Sequence, residues 1–217
     1  MARRTPERPA ERRYYTTDFH VRTSGRRMRI AGHAAVFDST SQDLGGFVER
    51  IAPGAFRKTL READVRALFN HDPNLVLGRT GAGTLRLAED RSGLAYEVEL
   101  PDTTVGRDLA VSIERGDVTQ SSFGFRAIAD RWTRTEDGTP LRTLTEVSLH
   151  NGDVSPVTFP AYLATDVATR AVHRLAATTG VPADELVAAI RSGRLPTDPP
   201  TPAVTAARRR LQLLEHL

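Results

Sequence analysis

The clearest pattern of alternating apolar and polar residues covers positions 93–100. Apolar side chains at 94, 96, 98 and 100 alternate there with Ala95, Glu97 and Glu99. A period of two predicts a strand with one buried face. Further strands are predicted at 27–37, 65–69, 118–128, 141–149 and 153–159, with short hairpin-like pieces at 76–78 and 84–87.

Helical spacing is rarer in this chain. Val105, Leu109, Ala110 and Ile113 recur with the helical period, and Gly116 ends that segment. Pro53 is a second candidate helix start, with Phe56 and Leu60 on one side. Many short strands with few helices predict a mainly β (α+β) fold, an antiparallel β-barrel with flanking helices.

Composition divides the chain into three parts. Residues 1–16 are rich in charge and predict a disordered basic arm, and residues 17–173 hold the strand pattern of one domain. Residues 174–217 predict a helical tail, with two short helices at 182–190 and 203–217 joined by the proline-rich linker 196–202.

Charge and cysteine content exclude several classes of protein. The 217 residues include no cysteine, so a disulfide, a thiolate zinc site and a cysteine nucleophile are excluded. The 30 basic and 27 acidic residues nearly balance, and a net charge of +3 therefore does not predict a nucleic-acid partner. No apolar run approaches the ~20 residues of a membrane span, so we expect a soluble intracellular protein.

Three segments carry residue types suited to acyl transfer. They are Asn-His-Asp at 70–72, Ser-Ser-Phe-Gly-Phe at 121–125 and Asp-Val-Ser-Pro-Val-Thr-Phe-Pro-Ala-Tyr at 153–162. A serine hydroxyl is a weak nucleophile until an imidazole takes its proton and an acid orients that imidazole. These segments could supply all three groups. No metal site is predicted, because the His71-Asp72 pair lacks further histidines and aspartates on helices.

The same segments resemble those of the tailed-phage prohead (capsid maturation) serine proteases. Gly-His-Ala-Ala-Val-Phe at 32–37 and Ile-Ala-Pro-Gly-Ala-Phe at 51–56 belong to the same set of motifs, and the resemblance runs from about residue 26 to about residue 170. It implies a herpesvirus-assemblin-like β-barrel with flanking helices. It also implies a catalytic triad of His71, Ser122 and Asp153.

Two of these roles have competitors. Ser121 is the rival nucleophile, but strand parity places it with Phe123 and Phe125, whereas Ser122 shares the other face with a glycine. Asp153 competes with Glu146 and His150, which are near in sequence, and assemblin-like proteases use a second histidine in this role. Backbone N–H groups are the expected oxyanion donors, with Arg126 a further candidate.

The resemblance implies a serine endopeptidase that cleaves scaffold and capsid-protein extensions during procapsid maturation, without a cofactor. Its partners would be the major capsid protein and the scaffold, with a homodimer left open and no membrane partner. It would act in the host cytoplasm, inside the assembling procapsid, where the tail would serve as a tether or a self-cleaved propeptide. The alternative function is that of a non-enzymatic scaffold or capsid assembly protein with an inactive protease fold.

Overall fold

The computed structural model describes residues 10–25 and 27–159, together with positions 176, 181, 182, 185, 186 and 189. These residues form strands and short helices in the following order: β1 (Glu11–Thr16), β2 (His20–Ser24), β3 (Arg27–Val36), β4 (Val48–Ile51), α1 (Thr59–Glu62), β5 (Arg66–Phe69), β6 (Asp72–Arg79), a 3-10 turn (Thr80–Ala82), β7 (Leu85–Glu89), β8 (Gly93–Glu99), α2 (Thr104–Glu114), β9 (Gln120–Arg134), β10 (Pro140–Ser148) and β11 (Asp153–Val157). No helix among them is long and apolar enough to cross a membrane.

The strands lie in two sheets. The larger has the order β4-β10-β9-β11-β5-β6, with β1 pairing with β9 beside this path, and the smaller has the order β2-β3-β8-β7. The long strand β9 is the centre of the larger sheet, because its first half lies between β1 and β11 and its second half pairs with β10. The first half of β9 is therefore held on both edges.

One cluster of buried side chains includes residues of both sheets. Ile30 and Leu94 come from the smaller sheet, and Phe123 and Phe125 come from β9. The rings of Phe123 and Phe125 stack with their centroids 4.7 Å apart, and Phe56 meets Phe123 edge-on at 5.6 Å. These aromatic contacts pack one face of β9 against the core. The side chains on the opposite face of β9 are therefore not part of this aromatic packing.

The mainly β class is confirmed, but the described strands do not close into the predicted antiparallel barrel. Two strand pairs, β4 with β10 and β5 with β11, are parallel. The expected hairpin between 76–78 and 84–87 is also wrong, since β6 pairs with β5 and β7 pairs with β8. The predicted strand at 93–100 is confirmed as β8, and the helix predicted from the spacing of Val105 to Ile113 is confirmed as α2. The Thr103 hydroxyl caps α2 by accepting the Gly106 N–H.

The prediction of a disordered arm is wrong for residues 11–16, which form β1. Arg13 donates to Glu49 and Glu11, and Arg142 donates to Glu11, Glu49 and Asp130. Both arginines and both glutamates are buried. Charged groups are found inside proteins when they are paired, and this pairing joins β1 to β4 and β10. Residues 1–9 lie outside the described residues.

Most of the predicted helical tail lies outside the described residues. Within it, the Leu186 N–H donates to the Pro182 carbonyl at 3.1 Å, and the Leu186 side chain is buried. The boundary at residue 173/174 stays a prediction.

Candidate active site

Ser122 lies on the held half of β9, on the face opposite the aromatic core. Its neighbours across the sheet are Tyr14 on β1 and Ser155 on β11. Because side chains alternate along a strand, Ser122 shares its face with Gly124 while Phe123 and Phe125 face the core. Ser122 is buried, with only 2% of its surface exposed.

Ser121, the rival nucleophile, lies in a different environment. It is fully buried on the core side of β9, and its hydroxyl is 3.0 Å from the Tyr96 hydroxyl. Burial raises the pKa of Tyr96 well above its usual value, although its hydrogen bond with Ser121 acts to lower it, so Tyr96 keeps its proton. Among the described hydrogen bonds, none joins Ser121 to a histidine.

His71 occupies the tip of the hairpin between β5 and β6. Phe69 pairs with Asp72, so Asn70 and His71 are the two central residues of the turn, and both have positive φ, +54° and +59°. Two positive φ values are the signature of a type I′ turn, the tight connection that suits the twist of two paired strands. The turn places the His71 ring beside β9 and β11, where it contacts Ser122 and Asp153.

Asn70 ties this turn to the end of β11. Its N–H donates to the Pro156 carbonyl at 3.0 Å, and its side-chain oxygen accepts the Thr158 N–H at 2.8 Å. Its amide nitrogen donates to the Thr158 hydroxyl at 3.1 Å. Asparagine adopts positive φ more readily than most residues, so the same side chain suits the turn and anchors it.

The structure brings His71, Ser122 and Asp153 into one chain of hydrogen bonds. His71 Nε2 lies 2.6 Å from Ser122 Oγ, and His71 Nδ1 lies 2.6 Å from Asp153 Oδ2. An ionised carboxylate only accepts hydrogen bonds, so Nδ1 carries the proton and Nε2 accepts the serine hydroxyl. This arrangement can take a proton from Ser122 and stabilise the imidazolium that results.

Asp153 is the first residue of β11, where the chain approaches β9 closely. A Cβ atom on Gly152 would lie 2.1 Å from the Gly124 carbonyl oxygen, and one on Gly124 would lie 2.8 Å from Asp153 Oδ1. Both distances are shorter than real Cβ contacts allow. The two glycines therefore make the room in which the carboxylate sits beside the serine strand.

The other candidates for the acid position lie elsewhere. The Glu146 carboxylate is 3.5 Å from Lys58 Nζ, and His150 is exposed, with its backbone N–H donating to the Ser148 hydroxyl. Among the described hydrogen bonds, neither side chain contacts His71. Among the residues that the structure describes, no group of three or more histidines, aspartates and glutamates is arranged to hold a metal ion.

Two polar residues at the site were missed from the sequence. Ser155 donates its hydroxyl to Asp153 Oδ2 at 2.5 Å, and Asn70 anchors the turn that carries His71. The signal for Ser155 was its spacing, because residues two apart on a strand share a face. The signal for Asn70 was its place before a histidine between two strands, where a two-residue turn needs positive φ.

Similarity to known proteins is found with a family model and with a solved structure. The family model of the caudovirus prohead serine proteases matches residues 17–179. No curated protein matches the sequence. Among solved structures, the chain is similar to the bacteriophage T4 capsid assembly protease, with 10% identity, a TM-score of 0.42, and coverage of 67% of this chain and 96% of that chain.

Proposed function

The chain belongs to the caudovirus prohead serine protease family, and on that premise we propose that it is a serine endopeptidase whose catalytic triad is Ser122, His71 and Asp153. The observation that carries this proposal is the unbroken chain of two 2.6 Å hydrogen bonds from the Ser122 hydroxyl through His71 to Asp153. The alternative, a non-enzymatic assembly protein with an inactive protease fold, gives no reason for a serine and a histidine to be aligned in this way.

In the first half of the reaction, Ser122 Oγ attacks the carbonyl carbon of the scissile peptide bond while His71 Nε2 takes the hydroxyl proton. Asp153 holds the ring with Nδ1 protonated and stabilises the imidazolium. The tetrahedral intermediate then collapses, the C–N bond breaks, and His71 gives its proton to the leaving amine. The product of this half is an ester between Ser122 and the N-terminal fragment.

In the second half, water takes the place of the amine. His71 removes a proton from the water as its oxygen attacks the ester carbonyl, and the proton passes to Ser122 Oγ when the C–O bond breaks. Backbone N–H groups are the proposed donors to the oxyanion in both halves, since such donors act where the charge develops.

The proposed substrates are the scaffold and N-terminal extensions of the major capsid protein, cleaved inside an assembling procapsid in the host cytoplasm. The proposal draws on the prohead assignment of the family. Removal of these segments would free internal volume before the particle matures.

The test is co-expression of the full chain with the major capsid protein and the scaffold, followed by mass spectrometry of the resulting termini. Ser122→Ala and His71→Ala should each abolish processing, and the double variant should be no worse, because residues that act as a unit are strongly non-additive. Ser121→Ala is the matched control and should process the substrates at close to the wild-type rate. Full-rate cleavage by Ser122→Ala would refute the assignment.

We also propose that the tail from residue 174 tethers the enzyme to scaffold or capsid protein and is removed by self-cleavage. Deletion of residues 174–217 should leave a soluble protease that enters procapsids less often. Because Leu186 is buried, a second truncation that deletes only residues 191–217 controls for lost packing. An insoluble 174–217 deletion beside a soluble 191–217 deletion would make residues 174–190 part of the folded domain and contradict the tether.

A further inference from the structure

A fully buried serine contacts the carboxylate of the proposed triad. Ser155 lies in β11, two residues after Asp153, and is 0% exposed. Its hydroxyl donates to Asp153 Oδ2 at 2.5 Å, and the same oxygen lies 2.6 Å from His71 Nδ1. Two donors from different parts of the chain therefore converge on one carboxylate oxygen.

We propose that Ser155 is a positioning residue of the triad, acting through Asp153 to hold His71 in the orientation and tautomer that activate Ser122. This inference rests on the proposed function. Among the described hydrogen bonds, the Ser155 side chain bonds neither Ser122 nor His71, so its effect on the rate is indirect.

Strand register connects Ser155 to the nucleophile. Ser155 and Ser122 are paired residues in the antiparallel pair of β11 and β9, so their side chains lie on the same face of the sheet. His71 bridges from Ser122 to Asp153, and Ser155 fixes the far end of that bridge. A single pair of neighbouring strands thus sets both ends of the hydrogen-bond chain.

The other carboxylate oxygen depends on a glycine. A Cβ atom on Gly124 would lie 2.8 Å from Asp153 Oδ1, so the place that this oxygen occupies is open only because residue 124 has no side chain. With the Ser155 hydroxyl and His71 Nδ1 both on Oδ2, turning the carboxylate away from this orientation would break two hydrogen bonds. Preorganised groups of this kind cost no reorganisation during the reaction.

Ser121 provides a natural comparison. It is also a fully buried serine in the same pair of strands, but its hydroxyl contacts the Tyr96 hydroxyl at 3.0 Å and the Ser155 carbonyl at 3.4 Å. Loss of either hydroxyl removes a buried hydrogen bond, whereas only the Ser155 hydroxyl touches the proposed triad. The pair therefore separates a positioning role from a structural one.

The experiment measures the rate at which the full-length protein is labelled by a fluorophosphonate probe, with the labelled residue located by mass spectrometry. This probe reacts when Ser122 Oγ forms a bond to phosphorus, fluoride leaves, and His71 takes the hydroxyl proton. Ser155→Ala should lower the rate about 10- to 100-fold, the range for a hydrogen bond to a charged group. Ser155→Thr keeps the hydroxyl and should recover most of the rate, and Ser121→Ala should stay within about twofold of wild type.

A second measurement does not depend on activity. The Nδ1 proton of His71, followed by proton NMR, should move or exchange faster with water in Ser155→Ala and stay unchanged in Ser121→Ala. If Ser155→Ala fails to fold, Ser155→Cys fills the site with a slightly larger atom and replaces the O–H by a weak S–H donor, and the same two effects are expected.

The outcomes separate the two proposals. An unchanged Nδ1 signal together with a near-wild-type labelling rate in Ser155→Ala, while Ser122→Ala is unlabelled, overturns the role of Ser155 and leaves the protease assignment intact. Equal losses in Ser155→Thr and Ser155→Ala also overturn it. Labelling that persists in Ser122→Ala overturns the proposed function instead, and the NMR signal then decides the role of Ser155 without reference to catalysis.

Discussion

Asp153→Asn tests how the proposed triad holds its acid, because the substitution removes a charge with almost no change in shape. Both groups that face Asp153 Oδ2, the His71 Nδ1–H and the Ser155 hydroxyl, are donors. Among the described hydrogen bonds, the Ser155 hydroxyl donates only to this oxygen. An asparagine should therefore turn its carbonyl oxygen toward both donors and its amide nitrogen toward Gly124. The tautomer of His71 should then be preserved.

The expected loss is that of the charge alone. With a 2.6 Å contact between Nδ1 and Oδ2, the centres of the imidazolium and carboxylate charges are about 4 Å apart. At an effective dielectric constant of about 20, such a pair is worth at most about 4 kcal/mol, a factor of about 10³ in rate. We therefore expect the labelling rate to fall about 10²- to 10³-fold, short of the ~10⁴-fold loss that accompanies the wrong tautomer in other triads.

Two measurements check this reasoning: the fluorophosphonate labelling rate, and the ¹⁵N NMR shifts of His71, which report which ring nitrogen carries the proton. Asp90→Asn is the matched control, since Asp90 contacts His33 Nε2 at 2.8 Å in another part of the fold. It should label within about twofold of wild type. A proton on Nε2 of His71 in Asp153→Asn, or a loss beyond 10⁴-fold, would refute the inferred orientation of the carboxylate.

Three further predictions concern the fold and the turn. Arg142→Met leaves Glu11, Glu49 and Asp130 without their shared cation. It should lower the free energy of unfolding, measured in urea, by about 3–5 kcal/mol. The control Arg107→Met breaks an exposed ion pair with Asp102 and should change the free energy of unfolding by less than about 1 kcal/mol. Burial raises the pKa of Glu11, but the charges of Arg142 and Arg13 outweigh it and lower that pKa to about 2. Stability from this group, on the order of 3 kcal/mol, should therefore be complete above about pH 4.5 and be lost as the pH falls toward 2. Glu11→Gln should reduce the loss of stability over this pH range in urea unfolding curves. Asn70→Ala should slow fluorophosphonate labelling by about tenfold through loss of the Thr158 contacts, and equal labelling by Asn70→Ala and wild type would contradict the anchoring role.

The elements that the sequence predicts well are those set by local patterns. In β8 the alternating residues 94, 96 and 98 are buried, and in α2 the buried residues include Leu109, Ala110 and Ile113. Each pattern fixes one face of one element, and that information is contained in a dozen residues. The parity of Phe123 and Phe125 likewise predicts that Ser122 and Ser121 lie on opposite faces of β9.

The missed features depend on partners far away in the sequence. The sequence of β1 predicts a charged arm, because Glu11 and Arg13 are residue types that are usually exposed to solvent. They are buried here because they pair with Glu49 and Arg142, which lie far away in the sequence. Composition does not predict such pairing, since buried and exposed ion pairs are made of the same residue types. The sequence likewise does not decide among Asp153, Glu146 and His150, because the choice depends on where the β5–β6 turn places His71.

The position of His71 in that turn leads to the last prediction, which concerns a cost in stability. Type I′ turns favour Asn-Gly, and a side chain other than glycine at positive φ is disfavoured by roughly 1 kcal/mol. His71, with φ +59°, holds the place where glycine would fit best. We expect His71→Gly to be more stable to urea than His71→Ala by about 1 kcal/mol, although both lack the imidazole and neither should label.

The sign of the stability difference between His71→Gly and His71→Ala tests whether the backbone at position 71 is strained. Ala88, an exposed residue in the edge strand β7, is the control, because glycine in a strand is normally less stable than alanine by roughly 0.5–1 kcal/mol. Ala88→Gly should therefore lower stability where the change from alanine to glycine at position 71 raises it. If alanine is at least as stable as glycine at position 71, the turn does not impose the inferred backbone, and the cost attributed to placing the histidine at its tip disappears. If the predicted sign is found, the turn keeps a disfavoured residue at a position from which its imidazole contacts both Ser122 and Asp153. Backbone strain and function are expected to coincide in this way.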